Sequence, residues 1–396
     1  MPDKFVQTDV LIIGASASGL MCAIEAGKRG RQVIVLDHAN KAGKKILMSG
    51  GGRCNFTNLE VSAENFISHN PHFCKSALSR YTQRDFISMV EDYQIPYEER
   101  DLGKLFCVNR AKDILNMLLS ECEKVKVAIR LKSEISAIEK ADNKFFIHTA
   151  EGSFQADSLV VASGGLSIPK MCASPLGYKI AEQFGHHIWP TSAGLVPFTL
   201  HPHDREKLAA LSGIAVASLV SNKRKQFKEN ILFTHRGLSG PAILQISSYW
   251  QPGEAININL LPGFDIIDFL KARQSDQPNS QLKTVLGEFL PKQLLTTLLG
   301  KDTADTPLQK LSYNRFNEIA RQLQHWQIKP NATEGYRTAE VTLGGIDCDE
   351  LSSKTMESSK VQSLFFIGEV VDVSGWLGGY NFQWAWSSGW CAGQVV

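Results

Sequence analysis

Gly14-Ala15-Ser16-Ala17-Ser18-Gly19 follows a short apolar run and opens a stretch with helical character. That is the setting a dinucleotide-binding turn requires. The first glycine permits the tight turn and the last allows close packing of helix on strand. The N–H groups of the helix start, with the helix dipole, favour a pyrophosphate. Ser16 replaces the second fingerprint glycine, and its small side chain is read as tolerated. Asp37 closes the next strand, roughly 20 residues on, where a carboxylate meets a ribose hydroxyl pair and disfavours a 2′-phosphate. The plain alternative is a strand-end turn aspartate.

Three further segments carry the same kind of chemistry. In the run from Lys44 to Asn55, three successive glycines, Gly50 to Gly52, let the backbone press against a flat or charged ligand. Arg53 could pair with phosphate, Asn55 could bond a ring edge, and Cys54 is either a small neighbour of a cofactor or a redox thiol. The strand Val160–Ala162 ends in Ser163-Gly164-Gly165, a second close-approach turn. The strand Leu364–Ile367 ends in Gly368-Glu369, and in flavoproteins an acid so placed accepts hydrogen bonds from ribityl hydroxyls. Next come Gly378, Gly379, Tyr380, Asn381 and Phe382 at a helix start, where N–H donors stabilise negative charge on a reduced flavin ring.

Candidates for a proton-transfer step are weaker. His235 and Arg236, in Thr234–Pro241, could serve as proton donor and anion anchor, or His235 could be structural. Ser239 is expected to cap a helix with Pro241 in its first turn. Thr342–Gly345 is a second possible wall, with Arg337 and Glu340 nearby. Tyr380 could donate a proton or pack on a flavin. His186-His187 and His201/His203 lack ligand spacing and acid or cysteine partners, so no metal is expected. There is no G-x-S-x-G elbow for serine hydrolysis.

The elements that must position these residues read as α/β. A buried strand at 8–13, a helix from Ser18 to Arg29 and a strand at Val33–Leu36 form a β-turn-α-β unit. Residues 71–93 and 112–124 have helical periodicity. Strand-like runs at Val125–Leu131, Glu134–Ile138, Phe145–Thr149 and Ser153–Gln155 lead as a β-meander into Ser158–Ala162. Residues 194–262 are mainly β. Residues 263–334 are mainly helical, with polar linkers at 274–281 and 300–307. From Gly335 the strand and glycine pattern returns. The expected organisation is one α/β domain, 1–193 with 343–396, interrupted by an insertion at 194–342.

Bulk properties agree with a large globular chain: 396 residues, 43% hydrophobic, net charge +2. Near-balanced charge and no obvious basic run argue against an RNA-modifying enzyme, so no nucleic-acid partner is expected. No apolar stretch reaches the ~20 residues of a membrane span, and the first residues do not read as a secretory signal. The eight cysteines include no C-x-x-C pair; free thiols in a reducing cytoplasm are the simplest account.

The combination ILMSGGGRCNFTN (46–58), VVASGGLS (160–167), FTHRGLSGPA (233–242), GYRTAEVTLGG (335–345) and GEVVDVSGWLGGYNFQWAWSSG (368–389) resembles the YhiN/BaiN-like NAD(P)/FAD-dependent oxidoreductases along essentially the whole chain. The resemblance implies a Rossmann-like FAD-binding domain of the glutathione-reductase type, interrupted by a β-barrel-like and helical insertion. It implies FAD contacts at Gly14, Ser16, Ala17, Ser18, Gly19, Asp37, Lys44, Gly52, Arg53, Cys54, Asn55, Ser163, Gly164, Gly165, Gly368, Glu369, Gly379, Tyr380, Asn381 and Phe382. Backbone contact with adenine is implied at Glu134-Ile135. With a single dinucleotide turn, NADH or NADPH would dock transiently as reductant. The expected activity is flavin-dependent reduction of a small organic molecule, with C=C reduction as one form. The competing expectation is a flavoprotein whose FAD is structural or a redox sensor.

Overall fold

In a computed structural model that describes residues 5–396, the chain divides into two compact units. One runs to Ser192 and resumes at Val341–Val396; the other is Ala193–Glu340.

The first unit is built on a seven-stranded sheet in the order Ala128–Leu131, Val33–Asp37, Val6–Ile13, Gly152–Val161, Lys144–Thr149 and Ile135–Ala141. Leu364–Phe366 joins it beside Gly152–Val161. Val10 to Ile13 are almost fully buried, as expected of a parallel strand covered on both faces. Gly152–Val161 does two jobs. Its first half pairs antiparallel with Lys144–Thr149, and its last three residues pair parallel with Leu364–Phe366. The meander and the returning C-terminal strand therefore share one edge.

Ala17–Lys28 packs against the final helix, Tyr380–Gly393, and glycine permits the approach. A Cβ on Gly389 would lie 2.5 Å from the Ser18 carbonyl oxygen, and one on Gly393 would lie 2.5 Å from Glu25 Cβ. Four residues apart, the two glycines lie on one helix face. The final helix is apolar on nearly all sides and is buried accordingly. Its Trp386 stacks on Phe86, with centroids 4.3 Å apart.

The single helical stretch expected over 71–93 is two helices, Cys74–Arg80 and Gln83–Asp92. Thr82 and Asp85 form a reciprocal capping box, and this local start signal outweighs the continuous apolar periodicity.

The second unit contains a seven-stranded antiparallel sheet. Its order is Trp326–Ile328, Ile256–Asn259, Ala215–Ser221, Gln226–Phe233, Gly237–Ser239, Phe198–Thr199 and Ala332–Thr333. The outer strands are neighbours in sequence, Ile328 and Ala332 being separated by Lys329, Pro330 and Asn331. Such a link spans at most roughly 14 Å, so the sheet must curl until its edges meet, which makes it barrel-like. Helices follow between Ile266 and Gln324, and Lys301–Asp305 is one of them rather than part of a linker. Ser239 does not cap the helix after it. It pairs with Leu232 in the sheet, and Gly240 at φ +89° is the cap, with Pro241 at the first helical position. A Cβ on residue 240 would stand 2.7 Å from the Leu232 nitrogen, so glycine alone fits.

Candidate functional site

The glycine-rich segments singled out in the sequence converge in the first unit. Gly14 has φ +116°, and a Cβ there would strike the Ala162 carbonyl oxygen at 2.3 Å, so the nucleotide turn lies directly on the Ser163–Gly165 turn. Gly43 N donates to Ala15 O at 2.8 Å, which fastens the glycine-rich segment to the same turn. The Glu369 carboxylate then joins three segments. Lys45 Nζ stands 2.7 Å from Oε2, while Thr342 N and Ser167 Oγ donate to Oε1 at 2.9 and 3.1 Å.

The helix Ala17–Lys28 tests whether a dinucleotide fits here. Ala17 and Ser18 are buried, yet Ser16 gives no side-chain cap, and the first intrahelical bond is Leu20 N to Ser16 O. A buried helix start whose N–H groups have no cap calls for an anionic partner, and a pyrophosphate supplies one. Asp37 accepts from Ala15 N at 2.7 Å and from Ala39 N at 2.8 Å, one bond per oxygen. Each oxygen keeps a lone pair, enough for a ribose hydroxyl pair. Ser133 N donates to Asp37 O at 2.9 Å, which brings Glu134 and Ile135 alongside. Gly51, Gly52 and Gly164 all have left-handed φ, and a Cβ on Gly51 or Gly52 would meet nothing within 4 Å. The final helix likewise starts from a left-handed Gly379 with no side-chain cap. The residues present fit FAD.

Several residues do something other than expected. Asn55 is engaged within the protein: with its amide turned to suit its neighbours, it donates to Thr57 O and Leu105 O and accepts from Gly379 N, all at 3.1 Å. It thereby ties the glycine-rich segment to the start of the final helix. Arg53 is half exposed and faces Glu98 at 3.5 Å. Lys44 Nζ lies 2.9 Å from Cys172 Sγ. Burial pushes the Cys54 thiol up to about 12, so it stays protonated at neutral pH, unlike a redox thiol. Glu369 also accepts from Gly165 N, which fills about four acceptor positions with protein donors. Burial raises its carboxyl, but Lys45 and these donors outweigh that and hold it below the usual range. It serves as a clasp rather than as a free acceptor for ribityl hydroxyls.

Of the proton-transfer candidates, Tyr380 is buried, edge-on to Phe66 and Trp376. His235 and Arg236 lie exposed in the second unit, where Arg236 faces Glu334 at 3.5 Å. The structure reveals a pair that the sequence did not. His69 Nδ1 lies 2.8 Å from Asp372 Oδ2, and His69 N donates to the same oxygen at 2.8 Å. Asp372 is 3% exposed, and burial pushes its carboxyl above the ordinary range. The His69 ring stacks on Trp189 at 3.8 Å, and half of it faces solvent. Its Nε2 has no partner among the described residues. No spacing could have announced a pair 303 positions apart. Asp372 nonetheless lies between Glu369 and Gly379, inside a segment that the sequence singles out for the cofactor.

A parallel sheet entered by a glycine turn, with an antiparallel meander and a C-terminal strand and helix closing the site, defines a flavoprotein of the glutathione-reductase type, an FAD-dependent oxidoreductase. The chain belongs to the family described as HI0933-like protein Rossmann domain, which it matches over residues 8–395. It is 54% identical to a ribosomal RNA dihydrouridine synthase from Escherichia coli (strain K12), over 98% of this chain and 97% of the relative. It is 27% identical to a 3-dehydro-bile acid delta(4,6)-reductase from Clostridium scindens, over 97% of this chain and 98% of the relative. Among solved structures, a 3-ketosteroid-delta4-(5alpha)-dehydrogenase from Rhodococcus jostii RHA1 shares the fold, with a TM-score of 0.51, 14% identity and 98% of each chain covered. No helix among the described residues is long and apolar enough to cross a membrane.

The Escherichia coli relative overturns the expectation of no nucleic-acid partner. That expectation rested on a net charge of +2, which averages over the whole chain. Contact with phosphates depends on local charge, and Lys223, Arg224, Lys225 and Lys228 fall within six consecutive residues.

Proposed function

We propose that the chain is an FAD-dependent reductase that saturates the C5=C6 bond of a uridine in RNA, with a reduced nicotinamide nucleotide as electron donor. The observation that carries this reading is the 54% identity, over nearly the full length of both chains, to a relative whose name specifies that product in ribosomal RNA. The Clostridium scindens relative, named for reduction of a steroid-like C=C unit, supports the same reaction type on another substrate.

When bound, reduced FAD supplies a hydride equivalent. The protein must then bind the dinucleotide, exclude water and deliver one proton to the second carbon. Asp37 and the start of Ala17–Lys28 would hold the dinucleotide. His69 is the proton donor in this reading: in its imidazolium form it donates Nδ1–H to Asp372 and presents Nε2–H on the exposed edge. One NAD(P)H and one proton are consumed for each double bond reduced. With one dinucleotide turn among the described residues, a nicotinamide donor would have only a transient docking place beside bound FAD.

The test is anaerobic. Purified protein is mixed with NADH or NADPH while flavin absorbance is followed, and an unmodified ribosomal RNA fragment is then added. Bleaching, followed by reoxidation and a mass gain of two hydrogens on a uridine, is the expected result. Reoxidation by a small enone but not by RNA would refute the RNA reading and assign a small-molecule reductase. No bleaching by either nucleotide would refute the nicotinamide donor. His69→Asn should keep the bleaching step and slow reoxidation by RNA on the order of 10²-fold.

A further inference from the structure

The basic run of the second unit is an ordered structure. Ala215–Ser221 and Gln226–Phe233 form a hairpin whose last pair is Ser221 with Gln226. Lys223, Arg224 and Lys225 occupy its tip, Lys228 lies on the adjoining strand, and all four are exposed. Asn222 shapes the turn: its Oδ1 accepts from Arg224 N at 2.8 Å and from Lys225 N at 3.0 Å, and its N donates to Lys225 O at 3.0 Å. The tip is also moored. Asn222 Nδ2 and Arg224 Nη1 donate to Tyr249 O at 2.9 and 2.8 Å, and the Arg224 guanidinium grips Glu254 at 2.7 and 2.9 Å. Lys225 Nζ lies 6.0 Å over the Tyr249 ring. The side chains of Lys223 and Lys228 make no hydrogen bond or ion pair among the described residues, although Lys223 adds, after Arg224, to the positive charge that holds the Glu254 carboxyl below its usual range.

Surface cations that stabilise a fold usually have acidic partners close by. Here the one carboxylate that holds the tip, Glu254, is taken by Arg224, and two ammonium groups project from a preformed turn. A preformed hairpin has no backbone entropy to lose when its lysines meet a polyanion; only side-chain freedom is spent. We infer that the hairpin tip, chiefly Lys223 and Lys228, docks the RNA substrate by contacting its phosphate backbone without reading sequence. This rests on the RNA reading above and adds where the RNA is held. Phosphate contacts fix position and supply affinity, while the choice of base falls to the site that reduces it.

The experiment compares wild type with Lys223→Ala/Lys228→Ala, as FAD-loaded full-length chains. A labelled ribosomal RNA hairpin is titrated by fluorescence anisotropy at several salt concentrations. Neither lysine side chain has a hydrogen bond or ion pair to lose among the described residues, so the variant should keep its flavin spectrum and melting temperature, which confirms folding. We expect roughly tenfold weaker binding and a salt slope shallower by about two, one for each phosphate left without its lysine. RNA reduction should weaken through KM, with kcat retained. Binding and salt slope equal to wild type, in a folded variant that still reduces RNA, would overturn the docking inference alone. A wild type that neither binds nor reduces RNA would overturn the functional reading beneath it. Equal affinity of wild type for polyglutamate or for anionic lipid vesicles would overturn RNA as the partner of this surface.

Discussion

Glu369→Gln tests the clasp that joins three segments of the first unit. The carboxylate accepts from Lys45 Nζ, Thr342 N, Ser167 Oγ and Gly165 N. Glutamine keeps one oxygen, hence two acceptor positions, and turns an NH2 toward the other donors. Two bonds to a charged acceptor are lost, at about 1.5–3 kcal/mol each. Glu369 and Lys45 are 19% and 27% exposed, so solvent recovers part of this. The net cost is about 3 kcal/mol, or roughly 6–12 °C in Tm for a unit of this size. Lys45→Met in the same chain removes the stranded ammonium, so the double variant should lose less than the sum of the single losses. The assay is thermal melting of apoprotein and FAD-loaded protein. If Glu369 is a clasp, both forms lose stability. A loss confined to the FAD-loaded form would refute this reasoning and restore the ribityl contact. A loss below about 2 °C in both would refute the energetics. The pH dependence has a definite sign. The folded-state carboxyl lies below its ordinary value of 4.5, so its stabilisation is complete above that pH and is lost as pH falls through the lower folded value. Glu369→Gln should therefore melt with a weaker acid dependence than wild type.

Other outcomes follow from the same geometry. Asp37→Ala should weaken FAD binding on the order of tenfold or more by equilibrium titration, since it removes a ribose acceptor and frees the N–H groups of Ala15 and Ala39; full retained affinity would sink the ribose assignment. Gly389→Ala should cost about 1–3 kcal/mol by thermal melting, because its Cβ would press 2.5 Å from the Ser18 carbonyl on the helix that begins at the nucleotide turn. Iodoacetamide on the native protein should label Cys172 first, as it alone of the eight cysteines is not buried. Peptide mapping that finds Cys54 labelled before Cys172 would contradict its burial and raised thiol.

What the sequence disclosed was local in origin. Gly14, Gly19 and Asp37 announce themselves because strand, turn, helix and strand follow one another within one stretch of chain. The left-handed glycines at 50–52 and the bare start at Gly379 are visible for the same reason. Contacts made by chain closure were hidden. Lys45 meets Glu369 across 324 positions and His69 meets Asp372 across 303, so no periodicity connects them. Asn55 has the chemistry to bond a flavin edge, but its amide groups are spent on Thr57, Leu105 and Gly379. Ser239 has the chemistry of a cap, but the turn needs the positive φ that Gly240 provides. The basic hairpin was in plain view at 223–228 and was missed by averaging charge over the chain.

The closure of the first unit by Leu364–Phe366 and Tyr380–Gly393 bears on how the protein is made. The nucleotide turn emerges from the ribosome early, but the helix that packs on it is among the last segments synthesised. At about 5–20 residues per second, the turn waits from about twenty seconds to more than a minute for that partner. The second unit is complete before the C-terminal segment appears, and its contacts lie largely within itself. It can therefore fold while the first sheet still has one edge short of its last strand and an apolar face uncovered. The nascent first unit therefore exposes, during that interval, the kind of apolar surface that chaperones cover. A chain stopped before Leu364 keeps the fingerprint turn but lacks the strand and the helix that close the first unit.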